Sequence, residues 1–276
     1  MATTSNDDQI EYWNGEAGVM WAKRQDRMDA LLAPISEATL RACAVKRSDT
    51  ALDVGCGCGD TTFRLAELGA TATGVDISKP MLARARERAA ANGLNATFML
   101  GDAAETRFET AYDLLFSRFG VMFFADPTAA FTHLHTALRR GGKLCFVCWQ
   151  PPQRNPWISA PFAVAQPMLP PQPVLEPRAP GPFAFAEPDY VREILQGAGF
   201  GSITIDELST ALVLGDTVDS ALEMVCDVGP LSRSLTGVDP STRSRIVAAV
   251  REPLQANLTK AGVALGAACW IVRAVA

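Results

Sequence analysis

Histidine and basic charge are both scarce in this sequence. Only two of its 276 residues are histidines, and 25 Lys and Arg are outnumbered by 30 Asp and Glu, which gives a formal net charge of −5. Because a nucleic-acid-binding protein usually carries a basic face, this charge argues against a nucleic-acid partner. A histidine base could come only from His133 or His135.

Long apolar runs are also lacking. None approaches the ~20 residues that span a bilayer, so we expect no membrane partner. The N-terminus, Met1 to Gln9, is polar and acidic, which is unlike a signal peptide. Seven cysteines, an odd number without the spacing of a disulfide framework, predict a reduced protein. Together these features predict a cytoplasmic localisation.

A glycine-rich turn is the most informative motif in the sequence. Residues 51–60 read Ala-Leu-Asp-Val-Gly-Cys-Gly-Cys-Gly-Asp, and Asp76 closes a second apolar strand 17 positions after Gly59. Glycines at such a turn let the backbone approach a nucleoside-bearing ligand, and a carboxylate at the end of the next strand can accept from two ribose hydroxyls. The pattern therefore predicts a nucleoside-binding site.

The spacing of the glycines separates two classes of ligand. Nicotinamide enzymes use G-x-G-x-x-G before a helix that faces a pyrophosphate. Here the pattern is G-x-G-x-G, with Asp53 before it and Asp60 after it. Two carboxylates would repel a pyrophosphate but attract an ammonium and a sulfonium. A nicotinamide-dependent oxidoreductase stays as an alternative, although the sequence has no Tyr-x-x-x-Lys motif.

This turn, together with the strand before it and Asp76 after it, resembles the first motifs of class I S-adenosylmethionine-dependent methyltransferases. Over residues 51–149 the chain resembles the ubiquinone/menaquinone-biosynthesis type (methyltransferase type 11), with Leu-Arg-Arg-Gly-Gly-Lys-Leu at 138–144 in place of the usual Leu-Lys-Pro-Gly-Gly. The resemblance implies an α/β fold with a doubly wound, Rossmann-like, seven-stranded and mostly parallel sheet. The last strand would be antiparallel, and helical and loop lids would be added. The alternation of strands and helices also predicts a parallel sheet.

The sequence divides into four predicted regions. They are an N-terminal helical cap at 1–46, a cofactor-binding Rossmann-like core at 47–150, a Pro-rich lid at 151–190, and the rest of the core at 191–276 with a helical lid insertion at about 215–262. The Pro-rich region holds twelve of the 18 prolines together with several aromatic residues. Long loops in compact domains are usually functional, so we expect this region to cover the active site.

The resemblance implies a role for each cofactor-binding position. The backbone of the three glycines would approach the methionine portion of S-adenosylmethionine, and Asp53 would orient the loop or bond the ammonium through water. Asp76 would bind the ribose hydroxyls. Ile77 and Ala103 would pack on the two faces of adenine, and Asp102 would accept from its 6-amino group. The candidate cofactor residues are Asp53, Gly55, Gly57, Gly59, Asp76, Ile77, Met81, Asp102, Ala103, Ala104, Ser117 and Arg118.

The resemblance also implies the activity, which is transfer of a methyl group from S-adenosylmethionine to a carbon, oxygen or nitrogen atom (EC 2.1.1.-). The fourth strand ends in Ser-Arg-Phe-Gly at 117–120, where many nucleic-acid and protein amide methyltransferases carry Asn/Asp-Pro-Pro-Tyr. This difference favours a small-molecule acceptor over a macromolecule. For Arg118, a contact to a carboxylate of the cofactor or substrate and a structural salt bridge both stay open. A protein that binds the cofactor without catalysis is a further alternative, and the oligomeric state stays open.

No catalytic residue is identified, and no metal site is expected. His133 and His135 lie in the helix between strands four and five, away from the strand ends, so Tyr12 or a carboxylate from a lid stays possible as a base. Asp126 alone does not make the carboxylate cluster of a metal-dependent methyltransferase. Aromatic and methionine side chains predict an apolar or aromatic acceptor. The candidate substrate-binding residues are Trp13, Trp21, Phe119, Met122, Trp149, Trp157, Phe185 and Met224.

Overall fold

Two compact units make up the chain in the computed structural model, which describes residues 6–93, 95–171, 176, 178–228 and 230–276. The first unit covers 1–149, 178–208 and 269–276, and the second covers 150–177 and 209–268. Residues 1–5 of the predicted N-terminal cap, and 172–175 and 177 of the predicted Pro-rich lid, lie outside the described residues.

Three helices precede the sheet: α1 (Asp7–Asn14), α2 (Glu16–Lys23) and α3 (Gln25–Cys43). The cap is divided in this way because Gly15 takes an extended conformation, with φ −86° and ψ −153°, between α1 and α2. Along α3, Leu31, Leu32 and Ile35 are buried at the spacing of one helix face, which is the pattern of an amphipathic helix that packs on a core.

Strands and helices then alternate. In chain order they are β1 (Thr50–Val54), α4 (Asp60–Glu67), β2 (Thr71–Asp76), α5 (Lys79–Asn92), β3 (Ala96–Leu100), β4 (Tyr112–Arg118), α6 (Pro127–Thr136), β5 (Leu138–Trp149), α7 (Pro156–Ala165), α8 (Pro188–Gly197), β6 (Gly201–Gly215), α9 (Val218–Asp227), α10 (Pro230–Ser234), α11 (Pro240–Ala256), β7 (Leu258–Thr259) and β8 (Gly262–Val275). The start of α5 follows local chemistry, since the hydroxyl of Ser78 caps it and Pro80 occupies its first turn.

The strands form one sheet in the order β3-β2-β1-β4-β5-β8-β6, and β7 pairs with β8. Strands β1 to β5 pair in parallel, and β8 runs antiparallel to β5, from Lys143 opposite Val275 to Trp149 opposite Cys269. The predicted mostly parallel sheet with an antiparallel last strand is thus confirmed. The sheet has eight strands in the described chain rather than seven, because the two residues of β7 also pair with β8.

The second unit is mainly helical. Helices α7, α9, α10 and α11 pack on one another there. Asn155 is fully buried, and its side chain bonds both backbone groups of Ala268. This unit combines the part of the Pro-rich region up to residue 177 with the later insertion, whereas residues 178–208 group with the first unit. In the described chain, no helix is both long enough and apolar enough to cross a membrane.

A disulfide joins Cys43, the last residue of α3, to Cys145 in β5. The two Cα atoms lie 5.7 Å apart, although 102 residues separate the cysteines in sequence. The expectation that all the cysteines are reduced is therefore wrong for these two. Sequence spacing gave no sign of the bond because the pair is brought together only when α3 packs on the sheet.

We expect chemical titration to detect this disulfide. Denatured protein that has not been reduced should react as five thiols, and reduction should raise the number to all seven cysteines. Cys43→Ser should raise the unreduced count by one, because it leaves the thiol of Cys145 without its partner. The matched control Cys148→Ser should lower the count by one. Seven reactive thiols in the unreduced protein would contradict the disulfide.

Candidate active site

The candidate site lies at the carboxyl ends of four adjacent parallel strands. The strand order reverses between β1 and β4, and in open α/β sheets ligands bind at such a switch point. Asp53 and Asp76 lie in the last two residues of β1 and β2, Asp102 follows β3, and Ser117 and Arg118 end β4. The fold thus brings the carboxylates that the sequence separated by up to about fifty residues to one edge of the sheet.

The glycine loop between β1 and α4 takes a left-handed backbone. The φ angles of Gly55, Gly57 and Gly59 are +69°, +56° and +86°, a region that other residues rarely adopt. A Cβ on Gly55 would lie 2.7 Å from the Cα of Gly120, and one on Gly57 would lie 2.7 Å from the Cε of Met81. The loop is therefore compact on both sides, and it needs glycine for its conformation and for its contacts.

Asp76 holds the glycine loop through backbone donors. Its carboxylate accepts from the N–H of Gly57 at 2.7 Å and from the N–H of Ser78 at 2.8 Å. Burial raises the pKa of Asp76, while these backbone hydrogen bonds lower it. Because each carboxylate oxygen has two lone pairs, both oxygens keep acceptor capacity for a ligand hydroxyl.

Asp53 lies beneath the loop and is fully buried. One oxygen, Oδ2, accepts from the hydroxyls of Thr61 and Thr62, both at 2.7 Å. Burial raises the pKa of Asp53 to about 6, and the two threonine hydrogen bonds oppose that rise. The other oxygen, Oδ1, has no hydrogen-bond partner among the residues that the structure describes. A buried acceptor of this kind is costly to leave unpaired, so it suits a ligand cation or a bridging water at this position.

Arg118 forms an ion pair at the start of α4. Its Nη1 donates to Asp60 Oδ2 at 2.8 Å and to the hydroxyl of Ser36 on α3 at 2.8 Å. The two charged side chains are only 10% and 9% exposed, and Arg64 also bonds Asp60, at 3.0 Å. Of the two roles that the sequence left open for Arg118, this geometry accords with the structural salt bridge. The ion pair neutralises Asp60, which is one of the two carboxylates that flank the glycine loop.

A residue of the N-terminal segment donates a hydrogen bond to the carboxylate of Asp102. Its Oδ1 accepts from the N–H of Ala104 at 2.9 Å, and its Oδ2 accepts from the side-chain amide of Asn6 at 2.7 Å. Ala103 beside it is buried, and Ile77 across the site is half-buried. Sequence reasoning missed Asn6, because an asparagine just before a helix is ordinarily a cap.

The end of β4 is strained and packed. Ser117 donates its hydroxyl to the C=O of Val54 at 2.7 Å. Phe119 has φ +63°, which is rare for a bulky residue and occurs mainly at functional positions. Its ring stacks on Trp149 with centroids 4.1 Å apart and planes at 7°. The turn therefore presents a fixed aromatic pair at the end of the strand.

The other candidate substrate residues lie in different surroundings. Trp13 contacts Trp21 and Phe123 edge to face, with centroids 5.8 and 5.5 Å apart. Phe185 is 2% exposed and packs against Phe131 and Phe146, so it is a core side chain of the first unit. Met122 is also buried there. The remaining two candidates, on α7 and α9 of the second unit, are Trp157 and Met224.

Both histidines of the sequence are engaged on α6. His133 Nε2 lies 2.8 Å from the C=O of Thr106, and the ring of His135 packs edge to face on Phe200 at 4.9 Å. Among the described residues, no group of three or more His, Cys, Asp or Glu is arranged to hold a metal ion.

Known proteins are similar in sequence to the region of the chain that carries the candidate site. Residues 51–142 match the family described as "Methyltransferase domain". An uncharacterized protein of Mycobacterium tuberculosis is 33% identical over 124 residues, which are 45% of each chain. Demethylmenaquinone methyltransferase of Thermus thermophilus is 34% identical over 142 residues, 49% of this chain and 64% of that one. Nocamycin O-methyltransferase of Saccharothrix syringae is 31% identical over 176 residues, 59% of this chain and 62% of that one.

Solved structures share the fold. Phosphoethanolamine N-methyltransferase 2 of Haemonchus contortus matches with a TM-score of 0.59 at 19% identity, over 98% of this chain and 59% of that one. The first of the curated relatives are matched over only about half of their length. Within these bounds, residues 51–142 are similar to a methyltransferase domain, and the matches support the class I S-adenosylmethionine-dependent methyltransferase that the sequence resembles.

We expect Gly120→Ala to destabilise the protein. The backbone of Gly120 is ordinary, with φ −80° and ψ −40°, but a Cβ there would lie 2.6 Å from the C=O oxygen of Val54 and 2.8 Å from Gly55 Cα. Such overpacking typically costs about 1–3 kcal/mol, measurable as a lower free energy of unfolding in urea. In the control Gly201→Ala, the new Cβ meets nothing within 4 Å, and the change should stay within about 0.5 kcal/mol. Equal stability of the two variants would contradict the close contact.

Proposed function

We propose that this chain transfers a methyl group from S-adenosylmethionine to a carbon, oxygen or nitrogen atom of an apolar or aromatic small molecule. One observation carries the proposal: three carboxylates end three adjacent parallel strands around a left-handed glycine loop. Asp53, Asp76 and Asp102 occupy these positions, and the loop between β1 and α4 lies among them.

The acceptors of the site suit the polar groups of the cofactor. The lone pairs that Asp76 keeps after binding Gly57 and Ser78 would accept from the two ribose hydroxyls. Asp53 Oδ1, buried and without a partner among the described residues, would accept from the ammonium directly or through water. Asp102 would accept from the adenine amine.

The charge of the site favours a cationic ligand over a pyrophosphate. Asp60 is neutralised by Arg118 and Arg64, whereas Asp53 and Asp76 are held by hydroxyl and backbone N–H donors. When ionised, the latter two concentrate negative potential at the glycine loop, which attracts a sulfonium and repels a phosphate. This is the reason to rank a nicotinamide-dependent oxidoreductase below a methyltransferase.

Bound S-adenosylmethionine supplies an electrophilic methyl group on a positively charged sulfur. The residues of the chain would contribute alignment and exclusion of water, which can supply much of the acceleration of an in-line displacement. The stacked rings of Phe119 and Trp149 offer an apolar wall at the end of β4, and aromatic faces attract a cation. The N–H of Phe119 donates to the C=O of Val147 at 3.1 Å, which fixes that wall.

Two observations support an apolar or aromatic acceptor. The first unit carries aromatic side chains close to the strand ends, with Trp13, Trp21 and Phe123 in one cluster and Phe119 with Trp149 in another. The names of two relatives, a demethylmenaquinone methyltransferase and a nocamycin O-methyltransferase, are those of small-molecule enzymes. A macromolecular acceptor is less consistent with the net charge of −5.

A cytoplasmic location belongs to the same proposal, because the cofactor is a product of intracellular metabolism. The disulfide between Cys43 and Cys145 is unusual for a reducing compartment.

The cofactor assignment is tested by calorimetric titration with S-adenosylmethionine, S-adenosylhomocysteine and NAD. We expect the first two to bind and NAD not to bind. Asp76→Ala should weaken S-adenosylhomocysteine binding about ten- to a hundredfold for each ribose hydroxyl that loses its acceptor, since one hydrogen bond to a charged group contributes about 1.5–3 kcal/mol. Asp206→Ala is the matched control, because Asp206 is exposed on β6 and pairs with Arg273.

The outcomes of this titration separate the candidate functions. Binding of NAD alone would overturn the proposal in favour of the oxidoreductase. If Asp76→Ala folds normally and binds as tightly as the wild type, the ribose assignment is wrong. Turnover is tested separately, by S-adenosylhomocysteine formation with a panel of aromatic phenols, amines and carbon acids. Tight cofactor binding without turnover on any acceptor would favour a non-catalytic binding protein.

A further inference from the structure

The side chain of Asn6 joins two of the loops that line the candidate site. Its Nδ2 donates to Asp102 Oδ2 at 2.7 Å, and its Oδ1 accepts from the N–H of Ala125 at 2.9 Å. Asp102 follows β3, and Ala125 lies in the loop after β4. One amide from the N-terminal segment therefore bridges the ends of two strands that are not neighbours in the sheet.

Asn6 makes these contacts in place of its usual local role. Its backbone C=O accepts from the N–H groups of Gln9 and Ile10, so Asn6 is the residue that begins α1. Asparagine at this position ordinarily caps the helix with its side chain, but here no side-chain cap bond is formed within the described chain. The side chain is committed instead to residues about a hundred positions away.

The same N-terminal segment also contacts the loop after β2. We call residues 6–23 the N-terminal strap. The C=O of Trp13 accepts from the hydroxyl of Ser78 at 2.7 Å. Asn14 donates to the C=O of Ile77 at 2.9 Å and accepts from the N–H of Lys79 at 3.0 Å. The strap therefore contacts the loops after β2 and β3, which carry the proposed adenosine contacts, and also the loop after β4.

Hydrogen bonds and the edge-to-face ring contacts of Trp13, rather than full burial, hold the first helix of the strap. All eight residues of α1 are described, and none is buried. Elements with few buried apolar contacts open at low free energy, and lids are drawn from this class. A helix bound through a few hydrogen bonds and ring contacts at the ends of the strands can therefore open without unfolding the sheet.

We propose that the N-terminal strap is a lid over the adenosine half of the cofactor, and that Asn6 is its latch. This inference rests on the proposed function, since it takes S-adenosylmethionine as the ligand. Asp102 Oδ2 has two lone pairs, and Asn6 uses one of them. The adenine amine takes the other, so that ligand and strap bind one carboxylate oxygen from two sides. Asn6 is thus a positioning residue that acts through Asp102.

Because Asn6 and the ligand share one acceptor, closure of the strap is coupled to the exocyclic amine of the ligand's nucleobase. A ligand with an exocyclic amine binds the oriented carboxylate and gains affinity when the strap is closed, and the closed strap must open before the ligand can leave. By linkage, the bound ligand must also stabilise the closed strap. The coupling is specific to Asn6, because Asn14 holds the strap without touching Asp102.

The test compares Asn6→Ala with Asn14→Ala and with Asn92→Ala, whose amide donates to the C=O of Arg88 within its own helix. Affinity is measured for S-adenosylhomocysteine and for S-inosylhomocysteine, which lacks the amine. Dissociation is followed by tryptophan fluorescence. We expect Asn6→Ala to release S-adenosylhomocysteine faster and to lose about tenfold more affinity for it than for the inosine analogue. Asn14→Ala should lose affinity for both ligands equally, and Asn92→Ala should lose none.

The outcomes distinguish this inference from the proposed function. If the wild type does not bind S-adenosylhomocysteine, the proposed function fails. If it binds, but Asn6→Ala binds equally or more tightly, or loses the same factor for both ligands, the latch alone is overturned. Hydrogen exchange of residues 7–23 in the wild type gives a readout that needs no variant. Protection by S-adenosylhomocysteine supports the lid, and unchanged exchange overturns it.

Discussion

The close approach of β1 and β4 is the constraint on which the site depends. Gly55 and Gly120 leave no space for a Cβ between them, and Ser117 binds the two strand ends together through the C=O of Val54. Because the order of the sheet reverses at this pair of strands, a cleft must open there. The glycine loop lies on one side of it and the Phe119 turn on the other. Loss of that contact would separate the two loops that the proposed cofactor and acceptor would share.

The electrostatics of the site follow from how its carboxylates are held. Guanidinium groups neutralise the buried carboxylate of Asp60, whereas Asp53 and Asp76 accept from hydroxyl and backbone N–H donors. Burial raises the pKa of both, so the negative charge is retained at a cost in solvation that a bound cation would offset. The interior of the cleft therefore favours a positively charged ligand.

Local pattern was sufficient to predict the fold and to indicate a candidate cofactor site. The alternation of strands and helices indicated the sheet, and the spacing from Gly59 to Asp76 indicated the site, because both are recorded in short stretches of sequence. Contacts that form only through tertiary packing have no such pattern in the sequence. Cys43 and Cys145 meet only when α3 docks on β5, and Asn6 has the same local signature whether it caps α1 or bonds Asp102. Phe185 was expected at the acceptor, but an aromatic residue in a Pro-rich segment can equally pack into the core.

The disulfide has a topological consequence for the cofactor core. Every candidate cofactor residue lies between Cys43 and Cys145, so the bond closes them into one covalent ring. A single backbone cut anywhere in that ring would leave both fragments attached to each other until a reductant is added. The chain could also be cut at an exposed turn within this ring and joined at another place. Every strand of the site would then stay covalently attached. In the oxidised protein the disulfide therefore holds the two fragments together after such a cut. In the reduced protein only packing would hold them.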